Sequence, residues 1–326
     1  MPTGTLEFLD GIVSLGKLPV VNGAASMLTN ALAPGNHTIT ARYSGDTNFV
    51  GSSSSFAQTI LNVAPAVQPI TWKSAGSAIT PGDGIKVGTA LSATANFSDA
   101  GAMDVHTASF SWGDGGTSAG TVAETNGSGS VTANHIYAAA GIYTVTLTAN
   151  DNYGGSTTVQ FQYVVIYDPA AGYESGAGSI NSPTGSYTAN VSLGGTAIIS
   201  NVFARYGTDG TLSALSNTFK FSYSTAGLSF NSSSMKWLVM SGNNSWLKGE
   251  GNNVVNGASE ACYFLLAIAN STSSTVADKA RVKIWSKATG RVIYDNQKDS
   301  TGASAPDDAT ASVPSPMGPG LVTFSH

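Results

Sequence analysis

A hydrolase needs a nucleophile with a base and an orienting group, or two carboxylates facing one bond. The chain offers four histidines, His37, His106, His135 and His326, and the glutamates Glu7, Glu124, Glu174, Glu250 and Glu260. His37 and His135 each stand just before an alternating run, where a structural role is expected. Nothing around His106 resembles a nucleophile elbow, and His326 is terminal. The sequence has no H-E-x-x-H, no paired-cysteine metal spacing and no phosphate-cradling glycine loop, so no catalytic residue is assigned. Calcium is the ion to weigh, because it takes oxygen ligands. Its candidates are Asp46 with Asn48, Asp151 with Asn152, and Asp307 with Asp308, but none follows D-x-D-x-D-G and each is equally a turn former. No metal ligand or cofactor is therefore expected. Five tryptophans, Trp72, Trp112, Trp237, Trp246 and Trp285, raise the question of sugar stacking. Trp112 and Trp285 lie in or beside alternating runs and are assigned to the core. Trp246, in Ser241-Gly242-Asn243-Asn244-Ser245-Trp246-Leu247, is flanked by loop residues. With Trp72 it forms the candidate binding site.

The elements that would position these groups are strands. Ile39, Ala41 and Tyr43 alternate with Thr38, Thr40 and Arg42, and Tyr143, Val145, Leu147 and Ala149 alternate with threonines. Phe219, Phe221 and Tyr223 alternate with Lys220, Ser222 and Ser224, and Val282 and Ile284 with Arg281 and Lys283. Successive side chains in a strand point to opposite faces, so each run has one dry and one wet side. Asp10-Gly11, Asn22-Gly23, Pro34-Gly35, Asn126-Gly127, Gly154-Gly155 and Thr289-Gly290 fall between such runs, as turns require. No stretch carries a convincing 3.6-residue period. The fold class is all-β, with apolar faces stacked as sandwiches.

Composition points the same way. Charged residues are 10% of the chain, against about 25% in ordinary soluble proteins. Glycine accounts for 38 of 326 residues. A net charge of -5 without a basic cluster disfavours a nucleic-acid partner. The longest apolar run, Ala261–Ala269, is strand-sized, so membrane insertion is not expected. Cys262 has no second cysteine to pair with and reads as a small buried residue. The N-terminus lacks the basic start and continuous apolar stretch of a signal peptide. Proline-bearing stretches at Asn62–Pro69 and after Tyr167 divide the chain into 1–64, 68–168 and 170–326.

The first of these segments resembles the bacterial Ig-like repeats of large surface proteins. The resemblance rests on Pro2-Thr3-Gly4-Thr5-Leu6-Glu7-Phe8-Leu9-Asp10-Gly11, on Leu32-Ala33-Pro34-Gly35-Asn36-His37-Thr38-Ile39-Thr40-Ala41-Arg42-Tyr43-Ser44-Gly45-Asp46, and on Asn48-Phe49. The second resembles a PKD domain, through Trp112-Gly113-Asp114-Gly115, His135-Ile136-Tyr137, Gly141-Ile142-Tyr143-Thr144-Val145 and Asp151-Asn152-Tyr153-Gly154-Gly155. Gly113 and Gly115 permit a tight turn around Asp114, while Tyr137 and Tyr143 can tie a corner through their hydroxyls. The third resembles a β-rich C-terminal domain that follows such repeats. Its marks are Phe219-Lys220-Phe221, Trp237-Leu238-Val239 and Asp278-Lys279-Ala280-Arg281-Val282-Lys283-Ile284-Trp285, and it is expected to be a larger antiparallel β-sandwich.

Ig-like repeats usually have two further strands before the Pro-Thr-Gly-Thr block. A sandwich lacking them would expose Leu6, Phe8, Ile39 and Tyr43 beside unpaired strand edges, forming an assembly edge. Missing upstream sequence or a strand from another subunit would complete it. The expected function is a non-catalytic extracellular or cell-surface structural or adhesive protein, a stalk or polymer subunit. Its partners would be copies of itself or neighbouring surface-protein domains, with polysaccharide as a further candidate. The alternative is a glycan- or protein-binding accessory module of a secreted hydrolase.

Overall fold

The computed structural model describes residues 1–80, 82–213, 216–271 and 278–297; Asp307, Asp308 and His326 lie outside the described residues. Among these residues the structure is built from strands, with a single short 3-10 turn at Ser224–Ala226. In the N-terminal part, β1 (Thr5–Asp10), β2 (Val13–Pro19), β3 (Gly35–Tyr43) and β4 (Ser52–Ile60) form an antiparallel sheet in the order β2-β1-β3-β4. Leu6 lies opposite Tyr43 and Phe8 opposite Ala41, so the apolar residues share one face. No second sheet covers that face among the described residues.

The second part contains β5 (Ala66–Val67), β6 (Thr71–Ser74), β7 (Ser77–Ile79), β8 (Gly84–Lys86), β9 (Ala90–Ser98), β10 (His106–Ser111), β11 (Thr117–Thr125), β12 (Ser128–Ile136), β13 (Gly141–Asp151) and β14 (Ser156–Tyr167). One layer runs β7-β6-β9-β12 and the other β10-β13-β14-β8. Strand β11 joins them, pairing first with β10 and then, past Gly120, with β12. A Cβ on Gly120 would stand 2.5 Å from Val131 Cγ1, so this crossing point has no room for a side chain. A strand that changes sheets makes the corner of a sandwich. Leu91, Ala93, Ala95 and Phe97 from one layer meet Phe110, Trp112, Val145 and Leu147 from the other in a single core. The hairpin between β11 and β12 turns on Asn126 and Gly127, at φ 51° and 73°, the positive pair that a two-residue turn between twisted strands demands.

The third part is an eight-stranded antiparallel meander: β15 (Tyr173–Ser182), β16 (Gly195–Arg205), β17 (Thr218–Tyr223), β18 (Leu228–Ser241), β19 (Asn244–Val255), β20 (Ala258–Ala269), β21 (Lys279–Ser286) and β22 (Val292–Asp295). The segment after β15 returns to β22 through a Tyr187–Tyr294 bridge and a Thr188 N–H to Ile293 carbonyl bond of 3.0 Å. The sheet thus curls over one core, and its facing parts act as the two layers. That core takes Ile180, Phe219, Phe230, Leu247, Phe264 and Ile284 from strands along its whole width. Arg281 departs from the expected wet face. It is 1% exposed and forms a two-pronged ion pair with Asp295, Nη2 to Oδ2 at 2.9 Å and Nε to Oδ1 at 3.1 Å. Burial is tolerable because the charges meet in pairs. Cys262 is fully buried, and loss of solvent pushes its thiol up to about 11.

The second and third parts share an apolar seam. In β18, Leu238 faces the inner core while Trp237 and Val239 face the other way. In β20, Phe264, Leu266 and Ile268 face inward while Leu265 and Ala267 face out. Those outward residues, with Trp246 of β19, pack on Ile142 of β13 and Val165 of β14. Val165 in turn sits between Val164 and Ile166, which point into the core of the second part. Trp237 Nε1 donates to the Gly82 carbonyl at 2.9 Å. Truncating Trp237, which is 3% exposed, removes seam contacts and leaves a void. Trp237→Ala is expected to cost about 3–5 kcal/mol and to split the urea unfolding of the two parts, followed by near-ultraviolet circular dichroism.

Glu174 on β15 is wholly buried and accepts a hydrogen bond from Ser245 Oγ. Burial first, and then the nearby Asp278 charge, raise its carboxyl from 4.5 to about 7 against the opposing Ser245 bond. The folded state therefore holds this proton more tightly than the unfolded chain. That contribution is complete below about pH 4.5 and is lost as pH rises toward 7. It amounts to a loss on the order of 3 kcal/mol. Glu174→Gln should flatten the fall in melting temperature between pH 5 and 8.

Candidate functional site

One polar cluster of the second part surrounds Asp114. Its Oδ1 accepts the Gly116 N–H at 2.8 Å, and its Oδ2 lies 2.7 Å from His135 Nε2. Burial opposes the charge, but the bonds from His135 and Gly116 hold Asp114 below the usual carboxylate range. The His135 ring stacks flat on Trp112 at 4.7 Å. Tyr137 Oη donates to the Trp112 carbonyl at 2.9 Å, and Tyr143 Oη to the Ala139 carbonyl at 3.0 Å. Each polar group is consumed in tying the corner, as the spacing predicted. In the first part, His37 bridges Asp10 Oδ2 and the Ala33 carbonyl, both at 2.7 Å. The Ala33 bond and then the Asp10 bond raise its pKa. These histidines act as structural clips.

Two family models match along the same segments: the bacterial Ig-like domain (group 3) over residues 1–63 and the PKD domain over residues 76–166. The chain carries an Ig-like domain and a PKD domain. No curated protein matches it. Both domain types are typical of extracellular proteins, and among the described residues no helix is long and apolar enough to cross a membrane.

In the Ig-like domain the assembly edge is less exposed than expected, and Ile39 corrects that expectation because it is packed within its own sheet's apolar face. Ile39 is buried, but Leu6, Phe8 and Tyr43 are only half-buried, and Phe56, opposite Ile39, is 56% exposed. Edge strand β4 is exposed along nearly its whole length. The Pro-Thr-Gly-Thr block is held by Asp46, whose Oδ2 accepts the Thr3 N–H at 2.6 Å. Its Oδ1 accepts the N–H groups of Asn48 and Phe49. These donors pull Asp46 far below the usual range. Asp46 with Asn48 is thus a turn clamp.

The two tryptophans expected at a glycan surface are buried, a correction to that expectation. Trp72 is 3% exposed on β6, in the PKD core between Trp112 at 6.1 Å and Phe161 at 5.4 Å. Trp246 is also 3% exposed. Gly242-Asn243 proves to be a two-residue turn closed by a Ser241–Asn244 pair, so Trp246 stands two residues inside a strand and faces the PKD domain. Trp112 is core, while Trp285 is partly buried beside the seam, with the ammonium groups of Lys248 and Lys283 5.7 and 5.6 Å from its ring.

A cluster lies where the Ig-like and PKD domains meet; the sequence singled out its Asp151 but paired it with Asn152, whose Oδ1 instead accepts the Val105 N–H, and missed the two other carboxylates. Oxygens of Asp99, Asp104 and Asp151 come within 4.8 Å of one another. Asp99 follows β9, Asp104 precedes β10 and Asp151 ends β13; the β10–β13 register sets His106 opposite Asp151. His106 Nδ1 is 2.6 Å from Glu124 Oε2, and Nε2 is 3.2 Å from Asp99 Oδ2. Burial works against a charged His106 ring, but the bonds to Glu124 and Asp99 outweigh it and raise the pKa. Asp151 Oδ1 accepts the N–H groups of Tyr153 and Gly155, and Oδ2 accepts the Asn62 amide at 2.9 Å. Those donors keep it below the usual range despite burial. Asp104 has no such help: both its oxygens are buried without a partner. Burial first, then the Asp99 and Asp151 charges, raise its pKa.

Proposed function

We propose that this chain is a non-catalytic structural or adhesive protein of an extracellular or cell surface, and that its Ig-like sheet takes up additional strands on assembly. The open apolar face of β1 and β3, with the exposed edge strand β4, is the observation that carries the reading. Such an edge offers unpaired N–H and C=O groups to an incoming strand, and a half-covered apolar face stabilises one that brings a second layer. Donation from copy to copy, head to tail, builds an open filament unless the rotation closes. The wide polar faces rich in Ser and Thr suit a spacer, and the consumption of His37, His106 and His135 in structural bonds leaves none of them poised as a base. The second reading, a glycan- or protein-binding accessory module of a secreted hydrolase, loses its motive at Trp72 and Trp246, because buried indoles cannot stack on sugar.

Multi-angle light scattering of the full chain over a concentration series, with negative-stain imaging, tests assembly. Masses that grow with concentration and rods longer than one chain are expected. A chain that stays monomeric, with β2 and β4 amides protected from exchange, contradicts strand uptake between copies. Retention on insoluble polysaccharide would favour the second reading.

A further inference from the structure

Three carboxylates pack at a domain junction beside a single imidazole, His106, which bonds Asp99 and leaves Asp104 without a partner; a buried carboxylate with neither donor nor cation is costly. Asp104 is 6% exposed, and neither of its oxygens meets a donor. We propose that Asp99, Asp104 and Asp151 bind a calcium ion, and that Asn62 ties this ion to the linker so that the Ig-like domain is held on the PKD domain. The oxygens span no more than 4.8 Å, about twice the calcium–oxygen distance of 2.3–2.6 Å. One ion can therefore touch all three. Magnesium demands near-ideal octahedral geometry and gives up its water reluctantly, so this irregular carboxylate group suits it less well.

The donor set consists of oxygen alone. Both ring nitrogens of His106 are occupied by Glu124 and Asp99, so the imidazole orients a ligand and is not one itself. That argues against zinc. Gly101 and Gly155 leave room for the cluster: a Cβ on either would stand 2.1 Å from an oxygen of Asp104 or Asp151. Asn62, between β4 and β5, donates Nδ2 to Asp151 while its Oδ1 has no partner. A half-turn of that amide presents Oδ1 to the ion as a fourth protein ligand. A cleft lined by Asn62 and Val63 of the linker, by Asp104 and by Ala33 and Pro34 of the Ig-like domain lies beside it. Water can complete the shell from there.

The test is titration of calcium chloride into the EDTA-treated full chain, read by isothermal calorimetry and thermal melting. One ion per chain is expected, with a melting rise of at least about 4 °C at roughly 5 mM calcium and a smaller rise with magnesium chloride. Asp104→Asn should abolish both heat and shift while melting no lower than the metal-free wild type, since it removes an uncompensated charge. Asp209→Asn, in an exposed loop of the third domain, should retain both. Absence of binding heat and of a shift in the wild type overturns the proposal. So does a full calcium response in Asp104→Asn. If Asp104→Asn does not fold, Asn62→Ala decides: weakened binding supports the linker tie, and unchanged affinity refutes it.

Discussion

A strand with two apolar faces must be covered twice, and this constraint organises the molecule. Strands β18, β19 and β20 present Leu238, Leu247 and Phe264 to the interior of the third domain. They present Val239, Trp246 and Leu265 to the PKD domain. Neither domain can release the other without wetting indole and aliphatic surface, at roughly 25 cal/mol for each Å². The seam therefore behaves as a third core between two others. It lies on central strands of the meander, so that it is backed by the closed interior and does not hang from a loop.

The junction at the other end of the PKD domain is of a different kind. A short linker, one amide and a group of carboxylates stand where the seam has packed rings. Contacts of this sort respond to ions, whereas apolar packing does not. The chain thus combines a fixed joint and a polar joint in series. Its two ends differ too, in an Ig-like sheet open on one face and a C-terminal sheet curled shut.

Most of the fold was legible because period-two alternation is direct evidence of a one-sided strand. Ile39, Val145, Phe221 and Val282 all point where that pattern sends them. The WGDG turn and the two tyrosines were legible because their partners lie in the same short motif. Legibility failed where burial became two-sided. Trp237-Leu238-Val239 and Phe264-Leu265-Leu266-Ala267-Ile268 do not alternate, and a solid apolar run does not say what covers its second face. Trp246 was obscured by the polar residues of a tight hairpin that resembles a longer loop. Arg281 misled because its counter-charge, Asp295, is supplied by another strand. Of the carboxylate cluster only Asp151 was legible, and with the wrong companion, for a topological reason: Asp99 and Asp104 flank one connection and Asp151 ends a distant strand, and only the β10–β13 register brings them together.

The seam requires the PKD domain and the C-terminal domain to tumble as one body. Nitrogen-15 relaxation of backbone amides in the full chain measures this directly. Equal rotational correlation times for amides of β9–β14 and of β18–β21 are predicted. Two distinct times, each short enough for a separate domain, would contradict the seam and the architecture built on it.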